Sequence, residues 1–358
     1  MDVVEYTLDQ ELTFSGASPN NCWSAMVMPR HIRSALEALL VGVSRKDLAA
    51  RSALMTQAYR GARPSAAAVA GPDDALAYAV ARMPATYAAT WEALGKTAER
   101  HPSLQPRSVL DLGSGPGTAS LAALEMWPAI ERVTILEGLP AFRNMAAELV
   151  QPADAPAPTQ VEIVAADLLT SVRTWPEADL VMAAYVLVEL PEARVRALVL
   201  DAYSKARQAL LLVEPGTPSG FARIRMARDA LVERGAALIA PCPHSRACPM
   251  MSPDWCHFSV RLARSRDHKL AKAADVPFED ERFSYLAVTR SQVAAAEGER
   301  MIAPARVGKG EVVLRTCTDH GLAERRISRR DRLGYKAAKR LGWGDILRHN
   351  SGSLSKMP

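Results

Sequence analysis

Cysteine is scarce in this chain, with five in 358 residues, and aromatic residues make up 6 %. Thiols this few cannot staple a fold of such length, which excludes the disulfide-rich secreted class. Long apolar runs are missing too, so no stretch is suited to crossing a bilayer as a helix and a membrane partner is not expected. The opening MDVVEYTLDQELTF holds Asp2, Glu5, Asp9 and Glu11 and no basic residue. A secretory signal or an Arg-rich transit peptide has the opposite character, so the expectation is a cytoplasmic protein of bacterial type. In a reducing compartment, clustered cysteines point to metal before disulfide. What remains, 49 % apolar and 23 % charged residues, is the composition of a globular chain of one large domain or two smaller ones.

Charge is unevenly placed. Residues 322–358 carry ten Lys or Arg against three acidic residues, a net +7, while the remainder has 34 basic against 36 acidic residues, a net −2. A basic C-terminal segment on a near-neutral body is the footprint of a polyanion binder; a solvated, partly disordered end explains the charge equally well.

Periodicity divides the chain. In DDALAYAVARMPATYAATWEALGKTAER the apolar residues Leu76, Val80, Met83, Tyr87, Trp91 and Leu94 recur every three or four positions. That spacing predicts a helical stripe, kinked or divided at Pro84. From Pro106 onward, short apolar runs alternate with amphipathic stretches, the pattern of a parallel sheet covered on both faces. QPADAPAPT is an irregular connection. The late strands RFSYLAVTR and EVVLRTC are expected to complete the sheet as an edge hairpin. The resulting division is a helical region over 1–104, an α/β domain over 105–235 plus 282–318, a Cys-rich insertion over 236–281 and a basic tail over 319–358.

VLDLGSGPGTAS places Asp111 at a strand end, then Gly113, Gly115 and Gly117, then a helix start. Glycines permit the tight turn and close ligand approach, and a helix start offers free N–H groups. The G-x-G-x-G spacing with an acidic residue two places before resembles motif I of the class I S-adenosylmethionine-dependent methyltransferases. That resemblance implies a Rossmann-like α/β fold. It also implies that Glu137 holds the two ribose hydroxyls, that Asp167 meets the adenine amine and that Asp111 lies near the methionine moiety. The Asn/Asp-Pro-Pro-aromatic motif of amino-methylating nucleic-acid enzymes is absent; AAYVLVEL, with Tyr185 and Glu189, stands in its place. A catalytic cysteine near that strand is also missing, so the catalytic group is unknown.

Three of the five cysteines crowd into PCPHSRACPMMSPDWCHF as Cys242, Cys248 and Cys256, and Cys317 follows at the end of the last expected strand. Four thiolates suit a tetrahedral zinc site or a four-iron cluster. The C-x2-C knuckles usual in zinc ribbons are missing. His244, His257 and His320 are rival ligands, and free cysteines are often simply small buried hydrophobes; Cys22 is read as an unremarkable core or surface thiol.

The segment CPHSRACPM…DWCHFSVRLARSRDHKLAK…PFEDERFSYLAVTR, with the YKAAKRLGWGD ending, is similar to the ribosomal small-subunit methyltransferase-like family. This family comprises mitochondrial methyltransferase-like protein 17 and its bacterial relatives. The resemblance implies that Cys242, Cys248, Cys256 and Cys317 ligate a [4Fe-4S] cluster, with zinc as the alternative. It implies partnership with small-subunit rRNA and ribosomal proteins, a role in assembly that supports translation, and a monomer off the ribosome. An active S-adenosylmethionine-dependent rRNA methyltransferase is the alternative function. Arg261, Arg264, Arg266 and Lys269, expected to project beside the tail residues Lys336, Lys339 and Arg340, are the candidate RNA contacts; Tyr335 and Trp343 offer base stacking or a hydrophobic anchor.

Overall fold

Between residues 180 and 183 every side chain is buried, yet Leu180 and Met182 join one apolar cluster while Val181 and Ala183 join another. Alternation by two persists inside a wholly apolar run, because each face of the strand meets its own layer of helices. The same division recurs at Leu211 and Val213 against Leu210 and Leu212.

The computed structural model describes residues 25–60, 68–150, 159–293 and 298–348. The acidic opening, Cys22, nearly all of QPADAPAPT and Lys356 lie outside the described residues. Four helices come first, α1 (Arg30–Leu39), α2 (Arg45–Arg60), α3 (Pro72–Ala81) and α4 (Met83–Arg100). The alternating region follows as β1 (Ser108–Leu112), α5 (Thr118–Met126), β2 (Arg132–Glu137), α6 (Pro140–Val150), β3 (Gln160–Ala165) and β4 (Ala178–Ala184). It continues with α7 (Glu192–Lys205), β5 (Ala206–Pro215), α8 (Pro218–Glu233), β6 (Ala237–Ala240), β7 (Phe258–Ala263), α9 (Arg266–Ala271) and β8 (Phe278–Thr289). The last elements are β9 (Glu299–Met301), β10 (Arg306–Val307), β11 (Glu311–Thr318), β12 (Gly321–Ser328), α10 (Arg332–Ala338) and β13 (Ile346–Leu347).

The main sheet has the order β3-β2-β1-β4-β5-β8-β6, with β7 also paired to β8. Its first five strands are parallel, and β8 runs against β5, β6 and β7. This is a Rossmann-like, doubly wound sheet, as expected, with its carboxyl strand ends forming the rim where such folds bind ligands. The helical stripe is divided at Arg82, and Pro84 falls in the first turn of α4, where its missing N–H costs no intrahelical bond.

Two expectations are corrected. Phe278–Thr289 is an interior strand beside β5, with every residue from Phe283 to Thr289 buried, and Glu311–Thr318 is not its hairpin partner. The strand β11 belongs to a second sheet, β10-β11-β9-β13, with β12 paired along β11. That sheet has its own small core of Met301, Val312, Leu314 and Ala338. Residues 319–347 are therefore no loose tail: β12 and α10 complete the second sheet. The apolar positions of β12 are few because only one of its faces is covered.

Gly117 caps α5 with φ +83°, and a Cβ there would lie 2.5 Å from Val150 Cγ2. The left-handed conformation costs an L-residue about 1–2 kcal/mol before any clash. Gly117→Ala is expected to lower stability by about 2–4 kcal/mol in a denaturant titration. Val150→Ala should relieve the steric share, making the double variant less destabilised than the sum of the two single changes.

Candidate functional site

Turns at the carboxyl ends of β1, β2 and β4 build a cavity of about 310 Å3. Gly113 and Gly115 line it with φ +65° and +56°, and Glu137 closes its floor. Gly115 N–H donates to Glu137 Oε2 at 2.8 Å, and Leu139 N–H donates to Oε1 at 2.7 Å. Burial pushes the Glu137 carboxyl up, against the pull of those two donors. Asp111 is fully buried; its Oδ2 accepts from the Ser120 N–H and hydroxyl at 3.0 and 2.7 Å, while Oδ1 has no partner. Burial pushes Asp111 up to about 6, Ser120 opposing and Glu137 adding to the shift.

An acceptor oxygen left unpaired beside a cavity this size calls for a ligand that donates hydrogen bonds or carries positive charge. Asp167 lies exposed at the cavity's far end, its Oδ1 accepting from Leu169 N–H at 2.9 Å. Gly117 does not line the cavity; it makes the turn and the close packing on Val150.

The wall opposite the glycine loop escaped the sequence reading. Tyr78, Thr86 and Thr90 reach the cavity from the helical layer, and the Thr90 hydroxyl is buried without a partner. Two threonines four apart on an Ala-rich helix face were the available signal. Tyr185 also lines the cavity, in the left-handed region at φ +62°; its hydroxyl donates to Glu281 Oε1 at 2.9 Å, and Arg82 stands 3.7 Å from that oxygen.

A second site lies where the main sheet meets the smaller one. Cys242, Cys248 and Cys256 fall between β6 and β7, Cys317 sits on β11, and all four are free thiols around one space of about 40 Å3. Phe221, Met250 and Ile302 supply apolar walls. Burial and the neighbouring sulfurs push Cys256 well up and Cys317 up to about 12. Thiols held as far up as Cys256 and Cys317 keep their protons unless a cationic centre displaces them. Among the described residues no group of three His, Cys, Asp or Glu side chains could hold a metal ion. That finding bears on the cluster and on the zinc alternative alike, and neither is shown. Of the rival histidines, His244 lines the space with Nε2 3.7 Å from Cys317 Sγ, His257 stacks on Trp255, and His320 is exposed beside Asp319.

The basic candidates fall on two different bodies. Arg261 is clamped to Asp280 by two bonds of 2.7 Å and covers the Phe278 ring, and Arg264 pairs with Glu279 at 3.2 Å. Arg266 is exposed and Lys269 half-buried on α9, which packs on α2 and α3. Lys336, Lys339 and Arg340 are exposed in and just after α10, which packs on β11 and β12. The first group therefore does not flank the second through a shared element. Tyr335 joins the second sheet's core with its hydroxyl 3.3 Å from Gly308 O, and Trp343 packs edge-on to His257, so both act as anchors here.

Residues 72–348 match the family model described as mitochondrial small ribosomal subunit Rsm22. The chain is 26 % identical over 287 residues to the human ribosome assembly protein METTL17, mitochondrial, covering 76 % of this chain and 62 % of that protein. It is 24 % identical over 324 residues to Rsm22-cox11 tandem protein 2, mitochondrial, of Schizosaccharomyces pombe, covering 76 % of this chain and 42 % of that protein. The chain thus spans less than two thirds of either relative. Among solved structures, an O-methyltransferase family protein from Burkholderia thailandensis gives a TM-score of 0.39 at 18 % identity, covering 62 % of this chain and 60 % of that one. A magnesium protoporphyrin IX methyltransferase from Synechocystis gives 0.37 at 18 % identity, covering 56 % and 79 %. The expected cytoplasmic location is overturned, because the family and both relatives carry mitochondrial names. That expectation rested on the residue types of the opening segment, a weaker guide than similarity over most of the chain. Among the described residues no helix is long and apolar enough to cross a membrane.

Glu214, fully buried at the end of β5, accepts from Leu187 N–H at 2.7 Å and Val188 N–H at 3.2 Å, fixing the turn that carries Glu189 into the cavity. Burial pushes this carboxyl up to about 8 despite those donors. The folded state therefore holds the proton more tightly than the unfolded one. Its contribution to stability is complete below the ordinary glutamate value and is lost as pH rises through about 8. The thermal midpoint should fall between pH 5 and 8 by an amount that Glu214→Gln largely removes, as melting curves across that range would record.

Proposed function

The chain belongs to the Rsm22 family of the mitochondrial small ribosomal subunit, and from that premise we propose that it is a small-subunit assembly factor acting on rRNA. In this reading it is methyltransferase-like by fold, with S-adenosylmethionine in the cavity beneath the glycine loop and a [4Fe-4S] cluster on Cys242, Cys248, Cys256 and Cys317. The observation that carries the reading is the junction of the two sheets. Three thiols from the main sheet's excursion and one from β11 face one space, and the sheet that supplies Cys317 also bears Lys336, Lys339 and Arg340.

The donors around the glycine loop suit S-adenosylmethionine. Glu137, already oriented by two backbone N–H groups, keeps lone pairs for a ribose diol. Asp111 offers its unpartnered oxygen to a donor or a positive charge of the methionine moiety. Bound there, S-adenosylmethionine supplies an activated methyl group. No side chain of the cavity is assigned to catalysis. The alternative, an active rRNA methyltransferase, draws support from the cavity's reach to Tyr185 and Glu189 after β4.

Two measurements test the proposal. Protein purified without oxygen should be brown with about four irons per chain, and Cys317→Ser should lose most of that iron. A colourless, metal-free wild type would refute the cluster. Binding to small-subunit rRNA should weaken with salt, and replacing Lys336, Lys339 and Arg340 by Gln should reduce the slope of log K against log salt by about 2–3. Deleting 322–358 is unsuited to this purpose, because it would remove β12 from the second sheet. An unchanged slope would take α10 out of the interface.

A further inference from the structure

Two guanidinium groups are buried beside the four thiols, with little opposite charge to justify them. Arg228 on α8 and Arg300 on β9 are each 3 % exposed, and both line the cysteine-walled space. Among the described residues Arg300 has no carboxylate within ion-pair distance. Its donors go to Pro241 O at 2.8 Å and to Gly344 O. Among the described residues Arg228 pairs with one carboxylate, Asp229, at 3.3 Å and half-exposed, and spends its other donors on Cys242 Sγ at 3.4 Å, His244 O at 2.9 Å and Arg246 O. Buried cations of this kind are costly unless an anion accompanies them. Carbonyl oxygens soften that cost without supplying the missing charge.

We propose that Arg228 and Arg300 are built-in counter-charges for a negatively charged polynuclear centre on the four cysteines, and that together they raise its reduction potential. This rests on the cluster reading above. Four thiolates around a core of roughly two positive charges leave roughly two negative charges, which two guanidinium groups match. Adding an electron makes the centre more negative, so fixed positive charges at its edge favour the reduced form.

Both groups are held in place. Arg300 pairs across the strands with Cys317, and directly opposed residues of an antiparallel pair share a face. Arg228 is gripped by the carbonyls of His244 and Arg246, within the loop joining Cys242 to Cys248. Neither can swing into solvent while its carbonyl partners stay. A purely mechanical role, tying loop to helix and strand, would need the hydrogen bonds and not the charge.

The test separates those roles on the full chain, purified without oxygen, with iron and acid-labile sulfide counted. The midpoint of reduction by dithionite is followed by visible absorption and electron paramagnetic resonance at poised potentials. Arg228→Gln and Arg300→Gln are each expected to shift the midpoint to more negative potential with iron per chain unchanged, and the double variant to shift it further. Arg228→Lys and Arg300→Lys should titrate close to wild type. Gln variants with the wild-type midpoint would overturn the proposal and leave the cluster reading intact. Should the Gln variants lose their iron, the Lys variants decide. Iron retained at the wild-type midpoint supports a need for charge, and iron lost from both kinds of variant shows that fork geometry matters and overturns it. A wild type without iron and sulfide would defeat the cluster reading, and this proposal with it.

Discussion

One edge of β8 is shared by two strands that follow each other in the chain. β6 pairs with its far end, Ala240 against Ala287, and β7 resumes at Phe258 against Phe283, running in the same direction. Four residues of β8 separate those points, about 13 Å of strand, while the chain takes everything from 241 to 257 to make the step. The excess length must leave the sheet as an excursion with pinned ends. Closing such a loop costs entropy that grows only slowly with length. Ordering its interior is the greater cost, and no regular element inside it offsets that. Ser284, at the gap, donates to Cys256 O at 2.8 Å, and Trp255 Nε1 donates to Gly216 O at 2.9 Å. These bonds hold the closing end of the excursion, and the thiols concentrate its chemistry over the gap.

Opposite charges are buried at the two candidate sites, and burial has opposite consequences for what each can take. Around the glycine loop the buried groups are carboxylates, Asp111, Glu137 and Glu214, each held by N–H groups and each pushed toward its neutral form by desolvation. A ligand there is favoured for donating hydrogen bonds or bringing positive charge. Around the cysteines the buried groups are Arg228 and Arg300, and an incoming centre is favoured for being negative overall. The two sites thus select different classes of ligand by the same desolvation physics.

What was legible in the sequence follows from how strongly each segment is buried. SVLDL and ADLVMAA are buried on both faces, so their apolar runs announce interior strands, and the glycine loop is readable because glycine takes φ +65° and +56° without strain. Glu137 was legible as a carboxylate at a strand end; its grip on the loop's own N–H groups was not, because it depends on two turns meeting. The second sheet was missed for a related reason. Its strands are short, β12 is largely exposed, and GLAERRIS reads as charge rather than alternation. The cavity wall formed by Thr86 and Thr90 was hidden because contacts between a helix and a distant loop leave no periodic trace beyond the two hydroxyls themselves.

The second sheet is too slight to hold its own orientation. Four fully buried residues make a core far below what an independent domain requires. Its attachment to the main body therefore carries the burden. That attachment includes Lys96 with Asp345 at 2.8 Å, Arg315 with Asp254, the Arg300 bridge to Pro241 O, and the thiol of Cys317 facing the other three. The two carboxylate pairs are partly exposed and contribute modestly. Arg300 and Cys317 lie where the sheets meet and are cross-strand neighbours, so whatever occupies the space between the thiols bears on both at once. The direction in which Lys336, Lys339 and Arg340 point is then a property of that junction more than of the small sheet that carries them.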